Sequence, residues 1–207
     1  MKKVAISIHA SNNFLVNTLD GIKGYDYIHI DVMDGNFVKP VNMNLNVFQI
    51  IKDKLNYPII AHLMVVNPIE WIDKIINFID FFLFHYEIKE DKLKIVNEVR
   101  KRKKSVGIVI NPETPLSDII DYLPKLDIVL ILGVNPGYSG QLFIPKTIKK
   151  VNELAKYKKS YDFQIDVDGG VNINNAKNLI NADILTSAST ILKSKNPNYV
   201  IQQLKEE

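Results

Sequence analysis

In the stretch YIHIDVMDG (27–35), His29 and Asp31 stand two residues apart, with Met33 next in the same alternation. A strand turns successive side chains to opposite faces. Ile28, Ile30 and Val32 therefore make an ordinary apolar face, while the other face carries an imidazole and a carboxylate. FQIDVD (163–168) repeats the device with Asp166 and Asp168, PIIAHLM (58–64) carries His62 and Met64, and FFLFHY (81–86) carries His85. Burying a carboxylate is costly unless it is paired or bound to metal. Two histidines and two aspartates brought to one point would make a nitrogen and oxygen site for a divalent transition metal. Taken singly, each residue has a plainer reading. A lone strand-end histidine is more often a hydrogen-bonded structural residue, and His9 and His85 are assigned there. An aspartate before glycine is usually a turn former, the reading given to Asp34 before Gly35.

These residues meet only if their strands lie side by side. Eight short apolar runs recur along the chain, at 4–8, 27–31, 58–64, 81–86, 105–110, 127–132, 163–168 and 183–187. Most are β-branched or aromatic, as strands are. Helical patterns fill the gaps at 46–55, 68–79, 91–104, 115–123, 145–157, 172–181 and 196–207, while 12–22 holds only a weak FLVNTL segment. Strands alternating with helices, without a linker, predict an α/β protein with a parallel sheet. The count of eight favours a closed (β/α)8 TIM barrel spanning 1–207 as one catalytic domain. At this length the helices and loops must be short. A doubly wound open sheet is the alternative, but it calls for a glycine-rich GxGxxG turn after the first strand, and SIHASNN has none. In a barrel, active sites lie at the C-terminal strand ends.

The composition narrows the class of function. The chain has 207 residues, 46% hydrophobic, with a net charge of +3, too mild a surplus to argue for nucleic acid. Its dense basic run, Arg100 to Lys104, closes a helical pattern, where cations complement the helix dipole. With no cysteine, disulfides and thiolate metal sites are excluded. The apolar run after the two N-terminal lysines is too short for a signal peptide, and IINFIDFFLF is too short to span a bilayer. The expectation is a soluble cytoplasmic protein with no nucleic-acid or membrane partner.

A second feature concerns phosphate. NPGYSGQ (135–141), DGGV (168–171) and SAST (187–190) follow the sixth, seventh and eighth runs. Glycine and serine turns expose backbone N–H groups, and the loops after the last two barrel strands are a frequent phosphate cradle.

Several of these segments together resemble the ribulose-phosphate 3-epimerase family. They are IHIDVMDGNFV (28–38), HLMVVNP (62–68), FHYE (84–87), VGIVINPETPL (106–116), GVNPGYSGQLFIP (133–145) and IDVDGGVN (165–172). The resemblance runs in order from about Ser7 to Leu192. It implies a C3 epimerase converting D-ribulose 5-phosphate to D-xylulose 5-phosphate in the pentose phosphate pathway. The metal ligands it implies are His29, Asp31, His62 and Asp168, with Asp31 and Asp168 as the acid/base pair. The implied cofactor is one divalent ion (Zn, Fe(II), Mn or Co), with zinc foremost, stabilising an enediolate. Implied substrate contacts are Ser7, His62, Met33, Met64, Gly137, Tyr138, Ser139, Gly140, Gly169, Gly170, Ala188 and Ser189. A small-molecule ketose phosphate is the implied partner, and a homo-oligomer the implied assembly.

The chain departs from the family pattern at Ile6 in place of proline, His9 in place of leucine and Asn36 in place of histidine. FVKPVN stands for FVPN, Leu132 for a methionine, Gly133 for serine or threonine, and Ala188 for glycine. These positions bear on affinity and sugar preference, since no metal or acid/base position is lost. Two other readings follow. One is a hexulose-phosphate 3-epimerase, for example on allulose 6-phosphate. The other is a degenerate barrel that binds a sugar phosphate without turnover.

Overall fold

The structure is a computed structural model and describes residues 1–138 and 140–206. Eight parallel strands close a ring: β1 (Lys3–His9), β2 (Tyr27–Asp34), β4 (Ile59–Met64), β5 (Phe81–His85), β6 (Ser105–Ile110), β7 (Ile128–Leu132), β8 (Gln164–Asp168) and β9 (Ile184–Ser187). Closure is made by β1, which pairs with β9 on one side and β2 on the other. This is the TIM barrel expected from the eight apolar runs. A two-residue strand, β3 (Val41–Asn42), adds antiparallel to the end of β2 and was not foreseen, because so short a pairing has no periodicity to read.

Strand alternation divides the side chains as a barrel requires. Outward residues such as Ile28, Ile30 and Val32 pack under the helices in the main core. Inward residues Ala5, Tyr27, Ile60, Leu83, Val109, Ile128, Leu130 and Ile184 fill the lower barrel as a second cluster. The helices α1 (Asn46–Leu55), α3 (Lys92–Lys101) and α7 (Pro197–Glu206) bury the same i, i+1, i+4 triad: Val47, Phe48 and Ile51; Ile95, Val96 and Val99; Val200, Ile201 and Leu204. That spacing is one stripe of a helix facing the sheet. Asp91 caps α3 by accepting the N–H groups of Leu93 and Lys94.

Other connections are more compact than the sequence pattern suggests. The 68–79 segment is a 3₁₀ turn, Pro68–Trp71, followed by α2 (Ile72–Ile75). The 115–123 segment contains only 3₁₀ turns, Leu116–Asp118 and Ile120–Lys125, the second holding Pro124, which withholds a backbone donor. The 145–157 pattern forms α4 (Lys146–Leu154) and a 3₁₀ turn. The 172–181 pattern shrinks to α5 (Ile173–Ala176), and α6 (Ser189–Leu192) starts right after β9. The basic run at the end of α3 is a solvated helix end, with Arg102 paired to Asp73 and Glu98, and Arg100 to Asp127.

At the bottom of the barrel, four aspartates repeat one contact. Asp26, Asp80, Asp127 and Asp183 each precede a strand and accept an N–H from the first or second residue of the strand before it. Their partners are Val4 at 2.8 Å, Ile59 at 2.9 Å, Val106 at 2.8 Å and Ile165 at 2.7 Å.

Candidate active site

At the opposite, C-terminal end, inward positions turn from apolar to ionisable. β2 supplies His29 and Asp31, β4 supplies His62 level with Asp31, and β8 supplies Asp168. One donor atom from each of His29, Asp31, His62 and Asp168 lies within 4.8 Å of the other three. His29 is fully buried, His62 and Asp31 nearly so. Asp31 Oδ1 lies 3.2 Å from His29 Nε2 and 2.8 Å from His62 Nδ1, and His29 Nε2 is 3.8 Å from Asp168 Oδ2. The Ser7 hydroxyl donates to Asp31 Oδ2 at 2.9 Å.

A cavity of about 60 Å³ opens over this cluster. Of the sequence-derived site residues, Ser7, Asp31, Met33, His62, Met64, Gly137, Tyr138, Gly140, Asp168, Gly169, Gly170, Ala188 and Ser189 line it. His29 lies beneath its floor, and Ser139 falls outside the described residues. Met33 and Met64 face each other across the β2–β4 pair and form a small apolar cluster with Val38, while Leu132 adds to the wall. The loop after β8 is pinned, since Gly170 O accepts from the side chains of Asn172 at 3.2 Å and Asn175 at 2.9 Å. A Cβ at Gly170 would come within 2.8 Å of the Phe143 backbone, and its φ of +69° lies in the left-handed region. Ala188 needs no such freedom, because its φ is −106°. The side chain in place of the family's glycine therefore demands no left-handed backbone angle.

Some residues were valued too low from sequence. His9, assigned a structural role, lines the cavity with Nε2 3.9 Å from Asp31 Oδ2. His85 is structural in the sense of accepting and donating hydrogen bonds, yet it sits directly behind the site. Its Nε2 is 3.0 Å from His62 Nε2 and its Nδ1 is 3.1 Å from Glu87 Oε2. Glu87 was not singled out. Its i, i+2 spacing from His85 is the same as that of Asp31 from His29, and was the available signal. Asp34 is the turn residue expected, accepting from Asn36, Phe37 and Val66 N–H groups. Asp166 lies below Asp168, fully buried, with the Thr186 hydroxyl 2.9 and 3.1 Å from its two oxygens.

The electrostatics separate the two cavity aspartates. Burial pushes the Asp31 carboxyl up, but the charge of His29 and the hydrogen bonds from His29 and His62 outweigh it and hold it below the usual carboxylate range. For Asp168, burial and the nearby Asp31 charge outweigh His29, and its carboxyl is raised. Burial also lifts Asp166 to about 7, and beside these carboxylates His29 rises to about 9 although burial alone would lower it. Two carboxylates and two imidazoles at one buried point, with no lysine or arginine among the described lining residues, form a donor set that suits a divalent cation.

The family model that matches this chain, over residues 3–192, is that of the "Ribulose-phosphate 3 epimerase family". Similar curated proteins carry the same name. "Ribulose-5-phosphate-3-epimerase, chloroplastic" of Arabidopsis thaliana is 35% identical over 89% of this chain and 68% of its own length. The ribulose-phosphate 3-epimerases of Methanocaldococcus jannaschii and Escherichia coli are 33% and 32% identical, over 88% and 89% of this chain and 80% and 84% of theirs. Among solved structures, a 3-hexulose-6-phosphate synthase from Salmonella typhimurium superposes with a TM-score of 0.74 at 14% identity, covering 99% of this chain and 97% of that one. KGPDC from Streptococcus mutans gives 0.73 at 11%, covering 100% and 96%. At such identities the structural likeness speaks for the barrel alone. No helix among the described residues is long and apolar enough to cross a membrane.

Proposed function

Because this chain belongs to the ribulose-phosphate 3-epimerase family, we propose that it interconverts D-ribulose 5-phosphate and D-xylulose 5-phosphate, one of Asp31 and Asp168 taking the C3 proton and the other delivering a proton to the opposite face. One observation carries the mechanism. The two carboxylates reach one cavity from strands three steps apart around the ring, and their surroundings push their proton affinities in opposite directions.

Inverting C3 means removing its proton from one face and returning one to the other, which takes two groups flanking the carbon. The C3 hydrogen is acidic only through the neighbouring C2 carbonyl. The ionised Asp31 acts as base and Asp168, whose carboxyl favours its proton, as acid. In the reverse reaction the roles exchange. Ser7 holds Asp31 Oδ2 by a hydrogen bond, leaving the carboxylate little freedom to rotate. Met33, Met64 and Leu132 keep water from the reacting carbon without competing for its proton. Backbone at Gly137, Tyr138, Gly140, Gly169, Gly170, Ala188 and Ser189 receives the phosphate end, and Ser139 is assigned with them from sequence.

His29, Asp31, His62 and Asp168 would hold the divalent ion, zinc foremost among Zn, Fe(II), Mn and Co. When bound, such a cation supplies a Lewis acid toward the oxygens flanking the reacting carbon. The whole chain acts as one catalytic domain, in the cytoplasm and as a homo-oligomer, the last resting on family resemblance and readable by sedimentation.

The test is incubation with ribulose 5-phosphate in deuterated water, with parallel arms containing allulose 6-phosphate, chelator or added metal. Xylulose 5-phosphate carrying deuterium at C3 is the expected product. Faster exchange on allulose 6-phosphate would move the substrate to the hexuloses. No exchange with either sugar after metal loading would leave a binding barrel without turnover.

A further inference from the structure

Behind the cavity, three polar contacts run in line: Glu87 Oε2 to His85 Nδ1 at 3.1 Å, His85 Nε2 to His62 Nε2 at 3.0 Å, and His62 Nδ1 to Asp31 Oδ1 at 2.8 Å. Each contact needs one hydrogen, or another positive centre, between its heavy atoms. A neutral imidazole carries a single N–H, so the two rings bring two hydrogens, and ionised carboxylates bring none. One of the three contacts is left with lone pairs facing each other.

The surroundings decide which. Glu87 is fixed at the far end. Its Oε1 accepts from Asn111 N–H at 2.8 Å and from the Thr114 hydroxyl. That loop is tied in turn by Lys150, whose ammonium donates to the carbonyls of Asn111, Pro112 and Thr114. The other described partners of Glu87 are the donors of Asn111 and Thr114, so an ordinary N–H donation from His85 completes that end. The Asp31 end is different, because donor atoms of His29 and Asp168 converge on the same point. A cation there satisfies all four groups at once.

We propose that Glu87 and His85 are a positioning relay that presents His62 to a divalent cation through a bare Nδ1. Glu87 accepts from His85 Nδ1–H, and His85 Nε2 accepts from His62 Nε2–H. His62 is thereby held in the tautomer whose lone pair points at the cluster. Such outer partners of a ligating histidine typically govern metal affinity. The inference rests on the metal reading of the cluster given above, and extends it to residues outside the cavity.

Cobalt(II) titration of the metal-stripped full chain, read by its visible absorption, tests the relay. His85→Phe keeps a flat ring beside Phe37, whose ring lies 4.6 Å away, but offers no acceptor. Its cobalt affinity should fall about 10–100-fold. His85→Gln restores an acceptor oxygen and should bind close to wild type. In the zinc-loaded wild type, ¹⁵N ring resonances should show His85 protonated on Nδ1 alone. The relay is overturned if His85→Phe binds cobalt as tightly as wild type, or if His85 carries its hydrogen on Nε2. Equal loss in His85→Gln and His85→Phe would also overturn it, since packing would then be the cause. A wild-type chain that takes up no cobalt overturns the relay and the metal reading together. A wild type that binds cobalt and turns over the sugar, beside an equally tight His85→Phe, overturns the relay alone.

Discussion

Asp31 and Asp168 come from strands three steps apart around the barrel, yet each turns a carboxylate oxygen to within 4.8 Å of the other. Like charges so close, one buried and the other half-buried, cannot both ionise freely. The residues around them push the two carboxyls in opposite directions, holding Asp31 low and raising Asp168.

A division of labour between these residues has an isotopic consequence. Asp31→Asn and Asp168→Asn should each lower kcat by about 10²–10⁴-fold, the usual weight of a positioned acid or base. Each variant should still exchange the C3 hydrogen of one epimer with solvent, and a different epimer in each case, because one carboxylate remains on one face. Loss of exchange from both epimers in either variant, with metal retained by elemental analysis, would contradict two opposed carboxylates.

Stripping the metal should act on stability as well as on turnover. A ligand that binds only the folded chain stabilises it by mass action, about 2.7 kcal/mol at a free concentration of about 100 times Kd. Chelator should therefore abolish epimerisation and lower the melting temperature, and readdition of zinc or manganese should restore both. His62→Ala should show the low melting temperature at the outset and respond little to chelator. A melting temperature indifferent to metal in the wild type would count against the cluster.

Glu87 gives a stability dependence on acid. Burial pushes its carboxyl up, but the hydrogen bond from His85, with help from Thr114 and the Asn111 N–H, brings it down to about 2. A carboxylate depressed in the folded state stabilises fully above its unfolded value, near 4.5. That contribution, on the order of 2–3 kcal/mol, is lost as pH falls from about 4.5 toward about 2. Denaturant midpoints of the metal-free protein should fall across that window, and those of Glu87→Gln should fall less. Parallel curves would show that Glu87 carries no such linkage.

Gly107 tests the packing of the barrel interior. A Cβ there would lie 2.4 Å from Ile128 Cγ2, 2.5 Å from the Ile128 carbonyl oxygen and 2.6 Å from Leu83 Cδ2. Gly107→Ala should cost about 1–3 kcal/mol, the usual cost of overpacking. Adding Leu83→Ala removes one clash but leaves the backbone carbonyl, so the double variant should be no more stable than the single. Recovery in urea melts would show that side-chain crowding alone is at fault.

The eight strands could be read from sequence because each apolar run is short, bounded and rich in β-branched residues. The ionisable inward residues could be read because a titratable group at every second position of a strand has no place in a core. Helices were harder. Pro68–Ile75 buries Pro68, Trp71, Ile72 and Ile75, a stripe that a 3₁₀ turn running into an α-helix presents as well as one continuous helix, and the two 3₁₀ turns of Leu116–Lys125 bury only Leu123. Glu87 carries a local signal, its i, i+2 spacing from His85, but what fixes it and His9 in place is not local. Their roles come from contacts across strands, His9 with Asp31 and Glu87 with the loop after β6.

The four aspartate contacts at the bottom of the barrel divide the ring into β1–β2, β4–β5, β6–β7 and β8–β9. Each contact joins residues only 22, 21, 21 or 18 positions apart. Closing loops of that size carries a modest entropic cost. Within each of these four pairs a nearby carboxylate thus ties the start of one strand to the approach of the next, whereas the β1–β9 seam joins distant parts of the chain. The ring thereby reads as four quarters, and amide exchange that opens β1–β2, β4–β5, β6–β7 and β8–β9 as units is the behaviour such latches would give.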